Sequence, residues 1–192
     1  MANLDAPNGF WPSRHLTGGT IRANEYEIAD AYASNIFSGD IVKLATTGYI
    51  QVAAAGDTNL IGVFQGVQWT ASDGEVKFSR YWPASTSVKT GTKVKAFVYD
   101  DPNIVFAVQT LSSTAYTKDM EGANCDIKAE HSGSTSTGQS GMEADISSVG
   151  TSTANLRIIR LIDRPDNALG THAKIEVKIL EHLNAPAGTS GI

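Results

Sequence analysis

Short apolar runs that alternate with polar residues, separated by Gly, Asn and Asp, dominate the chain. Residues 40–44 and 49–52 flank Thr46-Thr47-Gly48 and predict a strand–turn–strand hairpin. Residues 60–69 are rich in β-branched and aromatic side chains. Gly62 and Gly66 within that run predict bulges or close backbone packing, as in a barrel wall. After the turn Ser72-Asp73-Gly74, residues 75–81 alternate as a half-buried strand does. Residues 93–99 and 104–109 alternate on either side of Asp100-Asp101-Pro102-Asn103 and predict the plainest hairpin of the chain. The proline excludes helix there, because it lacks an N–H and clashes with a preceding helical turn.

Residues 23–32 have a composition that suits helix, but Glu25-Tyr26-Glu27-Ile28 alternates, and the strand reading is preferred. Residues 111–121 are the helix candidate, capped by Ser112 or Ser113 and closed by Gly122 at the C′ position. Residues 123–131 predict a strand and residues 132–141 a polar loop. Residues 154–163 form a further strand stopped by Arg164-Pro165-Asp166-Asn167, and residues 173–183 alternate again. The expected fold is all-β, a barrel or a sandwich of the jelly-roll kind, with one short helix and extended terminal arms. Residues 1–22 read as the N-terminal arm, 23–183 as the β domain and 184–192 as a C-terminal tail. No repeat of fixed period supports a propeller or solenoid.

Composition narrows the class. Charged residues are 18% of the chain, and Gly, Ser and Thr together exceed a quarter of it. A coiled coil or helical bundle would be rich in Ala, Glu, Lys, Leu and Arg. A hydrophobic share of 41% also excludes an extended disordered chain. The net charge of −5, with no basic block, makes nucleic acid an unexpected partner. No apolar run is long enough for a membrane helix, and Met1 to Asp5 begins no secretory signal. The single Cys125 forms no intrachain disulfide and no thiolate zinc site, and it reads as a small buried hydrophobe.

Candidate chemistry is thin. His15, His131, His172 and His182 have no second His three or four residues away, so no metal or cofactor is expected. The stretch Gly133 to Gly138 lacks the Lys of a phosphate loop. Asp100-Asp101 and Glu25/Glu27 read as solvated turn and strand acids. No enzyme is expected. Two aromatic stretches stand out: Phe10-Trp11-Pro12-Ser13-Arg14-His15, and Arg80-Tyr81-Trp82-Pro83. Large aromatics beside Pro in an irregular arm suit docking on a neighbouring chain.

An ordered set of motifs carries a resemblance. Asn8-Gly9-Phe10, Pro12 and Arg14-His15-Leu16 come first. Gly39 to Leu44, Tyr81 to Ser85, Asp101 to Gln109, Ser140-Gly141-Met142-Glu143 and Arg164 to Asn167 follow in order. Together they resemble the head decoration, or cement, proteins of tailed bacteriophages. Trp82 departs from that pattern, in which a basic residue often stands between Tyr and Pro. The resemblance implies a decoration-protein-like barrel and a non-enzymatic virion protein on the outer capsid surface, assembled in the host cytoplasm. It also implies contact with the major capsid protein and with copies of itself, as a trimer or dimer. Phe10, Trp11, Arg14, His15, Tyr81, Trp82, Arg164 and Asp166 are the expected interface residues. Deleting residues 2–15 would then abolish docking and leave the β domain folded. The alternative is a glycan- or receptor-binding β domain of a phage tail or cell-surface assembly, stacking sugars on Trp11, Trp69, Tyr81 or Trp82.

Overall fold

The computed structural model describes residues 3–111, 113–128 and 132–185. Among them are sixteen strands and no α-helix. The chain begins with β1 Trp11–His15, β2 Asn24–Ile28, β3 Ile36–Phe37, β4 Ile41–Leu44 and β5 Ile50–Val52. It continues with β6 Leu60–Thr70, β7 Val76–Ser79, β8 Tyr81–Trp82, β9 Val94–Tyr99 and β10 Ile104–Gln109. It closes with β11 Asn124–Ile127, β12 Gly133–Ser134, β13 Gln139–Ser140, β14 Ala144–Gly150, β15 Leu156–Leu161 and β16 Lys174–Ile179.

The all-β class is as expected. One antiparallel sheet runs β1-β10-β16-β15-β11-β14, and the other runs β2-β9-β6-β4-β5 with β7 added on β6. Two ribbons, β3-β8 and β12-β13, complete the fold. Among the described residues neither sheet closes on itself, so the barrel alternative gives way to a sandwich-like arrangement.

The middle of the second sheet, β4 and the first half of β6, is buried on both faces, which explains the nearly unbroken apolar run there. Leu60 and Val63 join Ile41, Phe106, Ile158 and Val177 in the core between the sheets. Ile61, Phe64, Val67 and Trp69 belong to a second core, closed by Ile36 and Trp82 of the β3-β8 ribbon. The rings of Trp69 and Trp82 meet edge to face at 5.7 Å. Leu60 and Val63 share a face despite their odd spacing because the strand bulges between them. Its register with β4 steps from Val42–Gly62 to Lys43–Leu60, which leaves Ile61 as the extra residue. A second step, between Phe64 and Gly66, occurs against β9. Both glycines therefore mark bulges, as the sequence suggested.

Several expectations need correction. β9 and β10 do not pair: β9 lies in the second sheet and β10 in the first. The intervening turn crosses between the sheets, and its two acids tie it to opposite sides. Asp100 accepts hydrogen bonds from Asn24 and Tyr26 of β2, each at 2.7 Å. Asp101 accepts one from His15 of β1 at 2.9 Å. The 111–121 helix shrinks to one 3-10 turn, Lys118–Met120. A helix that short is marginal alone, and Tyr116 is taken by two backbone hydrogen bonds with Gly170. Ser112 lies outside the described residues. The 132–141 loop contains the β12-β13 hairpin, packed so closely that a Cβ on Gly133 would lie 2.1 Å from the Phe37 ring. The 123–131 strand is Asn124–Ile127, and residues 129–131, His131 included, lie outside the described residues. So does the tail from residue 186 onward.

The segment after β16 locks onto the second sheet. Leu60 N–H donates to Glu181 O, and Leu183 N–H donates to Leu60 O. His182 between them is buried, and burial, the dominant influence, holds its pKa below the usual imidazole value. The unfolded imidazole therefore binds a proton first, and stability should fall as pH drops below about 6.5. The urea midpoint is expected to be lower at pH 5.5 than at pH 7.5, with a smaller difference in His182→Gln. The depressed carboxylates Asp101, Glu121 and Glu176 act in a separate, more acidic window.

Candidate assembly interface

Three of the motifs that carry the resemblance, at residues 8–10, 39–44 and 140–143, come together inside the protein. Phe10 N–H donates to Gly39 O at 2.8 Å. A Cβ on Gly9, at φ +73°, would meet Ser140 Cβ at 2.6 Å and Gly39 O at 2.7 Å. The enclosed Asp40 carboxylate accepts the Phe37 N–H at 2.7 Å and the Ser140 hydroxyl. Ser140 Oγ in turn accepts the Met142 N–H. The Arg164-to-Asn167 turn is stitched by Asn167, whose amide donates to Ile162 O and Lys174 O and accepts from Lys174 N–H. These motifs are joints of the architecture.

The N-terminal segment is not a free arm. Phe10 is 0% exposed and belongs to the inter-sheet core. β1 pairs with β10 as an edge strand, Trp11 opposite Ala107 and His15 opposite Ile104. Edge pairing satisfies the backbone of β1, and burial in the core satisfies Phe10. Trp82 is likewise fully enclosed. Tyr81 is half-buried and stacks on Phe37 at 5.5 Å.

Four of the expected residues keep surface on the first sheet: Trp11, Arg14, Arg164 and Asp166. Trp11 is half-buried and shares a groove of 170 Å³ with Arg164, while the Arg80 guanidinium lies 5.8 Å from its ring. Arg164 and Asp166 form a two-bond ion pair at 3.1 Å, exposed to solvent. Arg14 and Arg160 converge on Glu176 at 3.1 and 2.9 Å, with the Ser13 hydroxyl as third donor. Burial raises the Glu176 pKa, but the bonds from Arg160, Ser13 and Arg14 outweigh it and hold the carboxyl below its usual range.

A feature missed from the sequence lies on β7. Among the described residues the strand pairs with β6 alone, and Val76 and Phe78 are 51% and 72% exposed. Its alternation signals an apolar face turned to solvent, not a half-buried strand. Gln65, Gly66, Arg80 and Phe97 line the shallow groove beside Phe78.

A polar groove of 710 Å³ runs past His15, Arg22, Asn24, Asp100 and Asp101. Beside it Thr17 Oγ1, His15 and Asp101 follow one another at 3.1 and 2.9 Å, in the order of a nucleophile, base and acid. The His15 Nδ1 lone pair, however, already faces the N–H groups of Thr17 at 3.2 Å and Gly19 at 3.0 Å. It is therefore engaged in holding the turn, and Nε2–H is the donor to Asp101. The buried Cys125 thiol is pushed up by its burial and is a poor nucleophile. Among the described residues no helix is long and apolar enough to cross a membrane. Comparison of the chain with protein-family models, curated proteins and solved structures gives no match.

Proposed function

We propose that this chain is a structural virion protein that decorates and cements the outside of a tailed-phage head by bridging neighbouring major capsid subunits. The observation that carries this reading is the free edge of β7, with Val76 and Phe78 exposed on a doubly packed β framework. An unpaired edge with an apolar face invites strand pairing. Its occupant is a second copy. Antiparallel pairing about a two-fold axis normal to the sheet sets Val76 of one copy opposite Phe78 of the other, twice. That gives two aromatic–aliphatic cross-strand pairs. Lys77 meets its own copy on the opposite face, where Glu75, just before the strand and 3.4 Å from Lys77, offsets the repulsion. Trp11, Arg14, Arg164 and Asp166 are left on the first sheet for the capsid contact, with Phe10, His15 and Trp82 withdrawn into the fold.

The mechanism is mass action. A chain that binds the assembled lattice and not free subunits stabilises that lattice by its differential affinity. A dimer engaging two capsid subunits at once gains from high effective concentration. Phe78→Lys should weaken the dimer about thirtyfold, the loss of about 2 kcal/mol typical of a central aromatic anchor. Light scattering measures the dimer, and the stained ratio of decoration to capsid protein on sedimented heads measures its consequence. Retention of both by Phe78→Lys would refute the β7 role. The glycan reading loses two of its four ring platforms, because Trp69 and Trp82 are buried. Glycan-array binding abolished by Trp11→Ala would reinstate it.

A further inference from the structure

Asp5, Glu143 and His172 are far apart in sequence, yet each offers a ligand atom and these atoms lie within 4.8 Å of one another. We propose that they form a site for a borderline divalent cation, zinc foremost, that clamps the N-terminal segment onto the first sheet. His172 Nδ1 is fully enclosed and has no hydrogen-bond partner among the described residues. It stands 3.4 Å from Asp5 Oδ1. That is long for a hydrogen bond. It matches the spacing of about 3.4 Å between two tetrahedral ligands held by bonds of about 2.1 Å.

The surroundings hold the ligands in place. Gln109 is buried, and its amide donates to Leu4 O at 2.7 Å and to His172 O at 3.0 Å. Its Oε1 accepts the Ala6 N–H at 3.0 Å. One side chain thus fixes the residues on either side of Asp5 and the backbone of His172. Asn3 extends the anchorage to Ala168 and Thr171. This is the outer-shell support that metal ligands need. His172 also holds φ +54°, an uncommon conformation for a non-glycine residue.

An imidazole with two carboxylates suits zinc better than calcium or magnesium, which prefer all-oxygen sites. Glu143 is buried and paired with Lys128 at 3.1 Å. That ammonium competes with a cation for the carboxylate without neutralising Asp5 as well.

The test is zinc chloride titrated into the full chain by calorimetry and thermal unfolding, with magnesium chloride as control. One ion per chain is expected, with Tm rising by about 5–10 °C at a hundredfold excess over Kd. Asp5→Asn, at an exposed carboxylate, and His172→Asn, a residue that tolerates positive φ, should each bind zinc at least tenfold more weakly. Lys128→Met should bind it more tightly. Absence of saturable uptake, or equal uptake by wild type, Asp5→Asn and His172→Asn, would overturn the site.

Discussion

Gly62→Ala is expected to lower stability by about 3–5 kcal/mol and Tm by about 10 °C or more. Two costs coincide at this position. The backbone stands at φ +148°, where an L side chain is strained, and an added Cβ would lie 2.0 Å from the Tyr99 carbonyl oxygen. That oxygen belongs to the backbone of β9, so no side chain can swing aside. The bulge at Gly62 also decides which residues enter which core: it turns Leu60 and Val63 toward the first sheet and Ile61 and Phe64 toward the ribbon. Relieving the clash by straightening β6 would shift its register and turn apolar side chains to the wrong face. Gly18→Ala is the control. Its φ is +77°, but nothing lies within 4 Å of the added carbon, so it should cost only about 1 kcal/mol. Thermal unfolding of the two variants separates backbone strain from the clash, and equal losses would contradict this account of β6.

The second large effect concerns the N-terminus. Removing residues 2–15 should cost the folded state itself. The deletion takes Phe10 from the inter-sheet core, strips β1 from β10 and removes the Gly9–Gly39 contact beside Asp40. Phe10→Ala alone should destabilise by about 3–5 kcal/mol. Near-ultraviolet circular dichroism and urea unfolding test both. A truncated chain that keeps its native spectrum and midpoint would restore the free-arm reading, in which this segment docks on another chain. A truncated chain that fails to bind heads would therefore say nothing about an interface unless its fold were verified first.

Local pattern carried the strands well and their partners poorly. The run at 60–69 became β6 with little change, and the alternation at 173–183 became the shorter β16, Lys174–Ile179. The Asp100-to-Asn103 turn looked like a hairpin because turn chemistry is local. The crossing between sheets is set by which strand each neighbouring acid holds, His15 on one side and Tyr26 on the other. Phe10 and Trp82 resembled sticky surface aromatics for the same reason: their surroundings are distant in sequence, Gly39 and Ser140 beside Phe10 and Ile36 of β3 beside Trp82. The exposed face of β7 was visible as alternation, but period two reveals the face and not whether a core lies beneath it. The Asp5, Glu143 and His172 cluster has no spacing signature, because three separate loops assemble it.

The proposal that the protein cements phage heads is tested most directly by co-sedimentation with expanded mature heads against unexpanded precursor shells of the same phage. Saturable binding to mature heads, with an increase in their resistance to heat or chelator and little binding to precursor shells, is expected. Equal binding to both shells, or to neither, would contradict it.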